Sequence, residues 1–443
     1  MDSVQREALA ERVLSLSTAD ETEVTIGTED ADLTRFTHEE IHQNVARSDA
    51  GISVRAILGQ RTGTASTNLL DDASLRATVD RAIAIATLAP ADPEIAPLPS
   101  GGPTTTPKGA YVKATAGASP QLRAGMADAI FKVAESHGFW CAGFARTQSA
   151  GYTIVNSNGA RASFDGTDSG INVKMNAADS TGYGQAYSPD ARTLDAREVA
   201  NTAAGKAKNS AQPRAVEPGE WTVIMEPAAF GEFFAYLGQH FSAQAYDEGS
   251  SFLSDGLDKS YFSENVTITD DYSHPLAPSM PFDFEGQPKQ RLKLVDAGIA
   301  KSIVTDSYWA KKLGRENTGH ALPAPNAYGP QAIDLVVSPG SKSIAELIAE
   351  TKRGLLISRF WYIRTVDQKK AIVTGMTRDG TFLIENGKVA GGVRNMRFNQ
   401  SIITALGKCE FSNAQQRTGD YWFSLVVPAA RIDGFTFSSG TQF

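Results

Sequence analysis

Between residues 23 and 58 four short runs with strand character follow one another almost without pause: EVTIGTE, DLTRFTH, IHQNVAR and GISVRAIL. Apolar and β-branched residues alternate with polar ones, and Asn, Asp and Gly separate the runs. This pattern commits the start of the chain to an antiparallel meander. A helix over 3–16 precedes it. A second helix begins at Asp72, where Leu75, Val79, Ala82, Ile83 and Ala86 recur at helical spacing until Pro90 stops them.

Residues 89–108, APADPEIAPLPSGGPTTTPK, are dense in Pro, Gly and Thr and read as a linker. Beyond it the plan repeats without residue-level repetition. Ser119-Pro120 opens a helix to about His137; the strand-like FWCAGFART, YTIVNSN and RASFD follow, and an Ala-rich helix spans 193–211. From about residue 220 the pattern is β-rich with short helices. Ser343 and Glu346 form a capping box that starts a helix over 344–352.

Composition narrows the function classes. A hydrophobic fraction of 41% and a charged fraction of 21% fit a globular protein, and no apolar run approaches the roughly 20 residues of a membrane span. The charged, amphipathic start lacks the apolar core of a secretory signal, and the two cysteines, Cys141 and Cys409, suit a reducing compartment; the expectation is cytoplasmic. A net charge of -8 without a Lys/Arg stripe argues against direct nucleic-acid binding.

The string HEEIH, His38 to His42, matches the H-E-x-x-H of zinc peptidases, which requires a helix and a third ligand. Two strand-like runs meeting at a polar turn fit these residues better, so a hairpin tip is expected. His274 in TDDYSHP and His320 in NTGHALP lie in turn-like contexts as candidate ligands or bases, and His137 ends a helix. In EPAAFGEFFAYLGQHF, 226–241, Phe230, Phe233, Phe234, Leu237 and Phe241 form one apolar helical stripe, with Tyr236 and His240 together at its border. No GxSxG elbow, GxGxxG fingerprint or phosphate loop occurs.

Several longer segments resemble the PmbA/TldD family, the "modulator of DNA gyrase" proteins related to metallopeptidases. They are TRFTHEEIHQNV with GISVRAI, IVNSNG (154–159), EGSSFLSDGL (248–257), PFDFEGQPKQR (281–291), LGRENTGHALPAPN (313–326), GMTRDGTFLIENGKV (375–389) and VRNMRF (393–398). They span nearly the whole chain in the family's order. The resemblance implies an α+β fold: long antiparallel strands flanked by helices N-terminally, and a largely β C-terminal domain with short helices. The expected division is 1–90, a linker at 91–108, a second α/β unit at 109–218 and the C-terminal domain at 219–443.

TldD-like members carry a helical H-E-x-x-x-H zinc motif and a cysteine ligand near the C-terminus. Over FGEFFAYLGQHF the motif falls on Ala235, Tyr236 and His240, so two of its three essential groups are missing. The segment that would hold the cysteine reads SNAQQRTGDYWFSL, with Cys409 upstream of it. One imidazole neither fixes a metal nor activates its water. The departure implies the PmbA/TldE-like branch: a subunit acting on unfolded peptides without a cofactor of its own, zinc being supplied by a TldD-like partner. Alternatives are a metallopeptidase with non-standard ligands (His240, His320 or the HEEIH histidines) and a non-catalytic homodimer that binds peptide.

Overall fold

The computed structural model describes residues 1–419 and 424–441. Helix α1 (Ser3–Leu14) begins in a capping box in which Asp2 and Gln5 satisfy each other's backbone N–H groups. Strands β1 (Glu21–Thr37) and β2 (Glu40–Leu58) form a long hairpin, and β3 (Arg61–Thr67) adds to β2. The four expected runs are therefore two strands. Asp30, Asp32, Asp49 and Gly51 look like turn residues, but they lie in an unbroken ladder, Asp32 opposite Ala46 and Asp30 opposite Ser48. The outer half of β2 is exposed on both sides, so polar side chains cost nothing there.

Helix α2 (Asp72–Leu88) buries Leu75, Val79, Ala82 and Ala86 as the spacing predicts. The Pro-rich segment after it is pinned down. The Leu98 N–H donates to Glu21, the Asn156 amide donates to the Pro99 carbonyl, and Lys311 donates to the Pro93 and Ile95 carbonyls. The short α3 (Lys113–Ala116) leads to α4 (Pro120–His137), which ends at left-handed Gly138. Strands β4 (Trp140–Asn156), β5 (Arg161–Asn176) and β6 (Thr181–Ser188) follow, then α5 (Ala196–Asn209). The strand order is β3-β2-β1-β4-β5-β6, antiparallel throughout. The two similar plans, 1–90 and 109–218, are thus halves of one sheet joined by the β1–β4 ladder.

One face of that sheet carries the helices. Val24, Ile26 and Phe36, at alternating positions of β1, are buried beneath α1, α2 and α4. The other face meets the second unit, where Glu23 on β1 and Glu285 both pair with Arg55.

The second unit is built on a closed ring of strands. Strand β7 (Gly219–Met225) leads into α6 (Pro227–Phe234), a 3₁₀ segment (Ala235–Phe241) and α7 (Ala243–Asp247). Strands β8 (Ile268–Asp270), β9 (Leu292–Asp296) and β10 (Ile299–Ala300), helix α8 (Ser307–Leu313), strand β11 (Leu335–Val337) and helix α9 (Ile344–Ala349) follow; α9 has the expected Ser343/Glu346 capping box. The long β12 (Arg353–Asp367) and β13 (Ile372–Glu385) form a hairpin, followed by β14 (Lys388–Gly392), β15 (Met396–Ser401), α10 (Ile402–Leu406), β16 (Cys409–Thr418) and β17 (Leu425–Gly440). Pairings β7–β12, β12–β13, β13–β15, β15–β17 and β17–β7 close a barrel, and β11-β8-β9-β10 extends from β17. The phenylalanine stripe of α6 packs into it: Phe233 lies 6.2 Å from both Phe360 and Phe398 and 5.7 Å from Phe435. The chain is α+β, with a largely β C-terminal region.

Candidate functional site

The stretch 226–241, expected as one helix, changes pitch midway. It is α-helical to Phe234 and 3₁₀ from Ala235 to Phe241, so the positions that match the zinc motif lie on the tighter turn. All five residues of the apolar stripe are fully buried, which explains the tolerance of a strained pitch: packing, not propensity, holds the segment.

Tyr236 and His240, expected together at the stripe's border, separate. A 3₁₀ turn aligns residues three apart, not four. Tyr236 faces a cleft of about 640 Å³, and its hydroxyl donates to the Ile363 carbonyl at 2.6 Å. Ala235, Gln239, Leu322, Tyr328, Thr365 and Gln368 also line this cleft. His240 turns the opposite way into the core, 1% exposed, its ring 5.3 Å from that of Phe252. Burial pushes its pKa down to about 4, so the ring is neutral at pH 7, and its Nδ1 has no hydrogen-bond partner.

These three positions supply a methyl, a phenol already engaged and an imidazole buried against Phe252. They do not fit a zinc ion, which needs three or four donors converging on one point. Among the described residues no group of three or more His, Cys, Asp and Glu is arranged to hold a metal. Cys409 is buried with its Sγ 3.3 Å from the Leu406 carbonyl, and burial pushes its thiol up to about 12. Of the segment aligned with the cysteine ligand, residues 420–423 lie outside the described residues.

The HEEIH string is the tip of the β1–β2 hairpin, as expected. His38 and Glu39 both have positive φ, 49° and 57°, the signature of a tight hairpin turn. The His38 ring stacks on Trp140 at 4.3 Å, and Glu39 accepts the Cys141 N–H. His42 is an exposed residue of β2. His137 Nδ1 donates to the Val133 carbonyl inside the last turn of α4.

His274 and His320 flank a buried ionic network that sequence reading missed. His320 Nδ1 is 2.9 Å from Thr318 Oγ1, and its Nε2 is 3.2 Å from Asp270 Oδ1, close enough to pair but off hydrogen-bond geometry. Buried Lys289 binds Asp334 at 2.7 Å, and the Asp334 N–H donates to Asp270. Burial alone would raise the Asp270 carboxyl, but His320 and Lys289 hold it below its ordinary value. Nearby Asp283 is pushed well above its ordinary value by burial and by Glu285. Half-buried His274 accepts the Leu276 N–H beside Asp271. Neither histidine lines the 640 Å³ cleft. Lys289 belongs to PFDFEGQPKQR, so its segment stood out in the sequence, but its partners are 19 and 45 residues away on either side.

Residues 218–439, half of the chain, match the family description "PmbA/TldA metallopeptidase C-terminal domain", and residues 33–86 match "PmbA/TldA metallopeptidase domain 1". The chain belongs to the PmbA/TldD family. Among relatives, it is 28% identical over 211 residues to a metalloprotease of Methanothermobacter thermautotrophicus, covering 45% of this chain and 44% of the relative. It is 26% identical over 225 residues to the metalloprotease PmbA of Escherichia coli O157:H7, covering 48% and 45%. These matches span rather less than half the length of the curated relatives. In fold it is similar to TldE from Thermococcus kodakarensis, with a TM-score of 0.88 at 21% identity over 99% of this chain and 100% of that one. In this PmbA/TldD-family protein no helix among the described residues is long and apolar enough to cross a membrane.

Proposed function

We propose that this chain is a TldE-like subunit of a TldD/TldE-type metallopeptidase assembly acting on unfolded peptides. It builds part of the peptide chamber and lacks a zinc site of its own, and a TldD-like chain supplies the metal. The observation that carries this reading is the divergence at the motif positions. Ala235 and Tyr236 border a cleft whose lining holds one carboxylate, Glu248, and no histidine or cysteine, while His240, the remaining ligand-type residue of the motif, is buried in the core at a pKa of about 4. A zinc-binding imidazole must present a nitrogen to the cleft; this ring does not line it and is buried 5.3 Å from the Phe252 ring. Full-length similarity of fold to TldE supports the same branch.

In this role the chain supplies surface and shape. The cleft offers the Tyr236 ring, the Gln239 and Gln331 amides and the Glu248 carboxylate as groups that can hold peptide. The partner is a TldD-like chain, or a second copy in a homodimer; no direct nucleic-acid contact and no membrane attachment are part of this role, which is exercised in the cytoplasm. The purified chain, alone and mixed with a TldD-like chain bearing intact H-E-x-x-x-H, is tested for zinc by atomic absorption and for cleavage of unfolded casein. Activity only in the mixture supports the reading. Stoichiometric zinc and cleavage by the lone chain would overturn it.

A further inference from the structure

The β12–β13 hairpin, whose β13 strand pairs with β15 in the barrel, carries an exposed arm on its β12 side. Trp361, Tyr362 and Val366 are 44%, 61% and 56% exposed. The β12–β13 register slips between Trp361 and Arg364, and Tyr362 sits in this bulge at φ 55°. A bulky aromatic residue avoids the left-handed region, and bulges of this kind re-aim side chains. The distortion directs a tyrosine ring to solvent, where burial cannot reward it.

Guanidinium groups surround these rings. Arg364 lies 4.3 Å over the Tyr362 ring, Arg378 4.9 Å and Arg359 5.5 Å from the Trp361 ring. Arg359 and Arg378 stand directly opposite each other in the ladder, a repulsive cross-strand pair. Arg359 is neutralised by Glu232 at 3.1 Å. Arg378 has only Asp379, with its Nε at 3.9 Å, and among the described residues no carboxylate lies within ion-pair distance of Arg364. In a chain of net charge -8, an arm with two weakly paired guanidiniums on aromatic faces is opposite in sign to the whole. Trp, Tyr and Arg are also the side chains in which binding energy concentrates.

The arm borders the cleft. Thr365 and Gln368 of the same hairpin line it, and Tyr236 ties its floor to the arm through Ile363. We propose that this arm docks extended peptides bearing acidic side chains: Trp361 and Tyr362 take apolar residues, and Arg364 and Arg378 take carboxylates. This rests on the peptide-chamber reading and adds to it a substrate class, acidic rather than basic peptide.

The test uses the full chain and fluorescence anisotropy with two fluorescein-labelled peptides of equal length, one alternating Glu and Leu, the other Lys and Leu. The wild type is expected to bind the Glu peptide at least about tenfold more tightly, with the difference shrinking at high salt. Arg364→Gln with Arg378→Gln should abolish the preference, and Trp361→Ala with Tyr362→Ala should weaken both peptides. All four residues are at least partly exposed, so unchanged melting curves serve as the folding control. Equal binding of the two peptides, or unaltered binding by the variants, overturns the proposal. So does light scattering that shows a wild-type dimer turned monomeric by Tyr362→Ala, since a second copy would then occupy the arm. Equal binding of the two peptides by the wild type, with intact cleavage in the mixture, refutes this inference alone; selective binding by the wild type without cleavage refutes the subunit role alone.

Discussion

Replacing His240 by leucine tests the burial that underlies the functional reading. The unfolded imidazole titrates near 6.5, whereas the folded one is held at about 4 by desolvation, with no charged neighbour contributing. Between these values the unfolded chain binds a proton that the folded chain refuses. Stability from this group is therefore complete above pH 6.5 and is lost as pH falls toward 4. Linkage gives a loss of about 2 kcal/mol at pH 5 and about 3 kcal/mol over the whole window. The wild-type slope alone is not diagnostic. Burial raises Glu23 to about 7 and Asp306 to about 6, so their folded carboxyls hold protons that the unfolded chain has released and favour the fold as pH falls. The difference between wild type and His240→Leu cancels those groups. In urea unfolding followed by far-UV circular dichroism, that difference should move by about 2 kcal/mol in the variant's favour between neutral pH and about pH 5. A pH-independent difference would refute the sealed-histidine argument. So would zinc that stabilises the wild type and not the variant, because the imidazole would then reach a metal.

Lys289→Met strands Asp334 in a buried site and should cost about 3–5 kcal/mol, read as a lower urea midpoint; a loss below about 1 kcal/mol would mean that water reaches the pair. Gly231→Ala drives a methyl group into Thr418 Oγ1 where α6 meets β16, so a loss of about 1–3 kcal/mol is expected, with Thr418→Ala recovering most of it in the double variant. His38→Ala and His42→Ala should leave zinc content and cleavage of the mixed assembly unchanged, with the first losing about 1 kcal/mol of stability through the Trp140 stack. Parallel loss of metal and activity in either would restore the HEEIH motif as a ligand set.

What the sequence disclosed was local. The capping box at Ser343, the stripe on α2 and the hairpin tip at His38–Glu39 each rest on residues within a single element or turn, and each stands where the pattern put it. Errors arose where distant packing overrode a local signal. Asp30 and Asp49 looked like breaks, but the ladder runs straight through them. The stripe through Phe230 and Phe241 reads as one helix because apolar spacing barely distinguishes α from 3₁₀ over so short a span, yet the change of pitch is what sends Tyr236 to the cleft and His240 to the core. The Lys289–Asp334–Asp270–His320 network was illegible, since it joins four segments that only the fold brings together.

The barrel's closure sets an order on synthesis. Strand β17 hydrogen-bonds to β7, β11, β15 and β16, and β7 lies more than about 200 residues earlier in the chain. The six-stranded sheet needs nothing beyond residue 188 to pair all its strands. On a ribosome it can pair while β7 and the phenylalanines of α6 wait, uncovered, for β17 to emerge. During that interval the nascent chain exposes its most apolar segment beside an open strand edge, the state in which chaperone capture competes with aggregation. Substitutions that slow β17 should therefore lower yield in cells before they lower the stability of the finished protein.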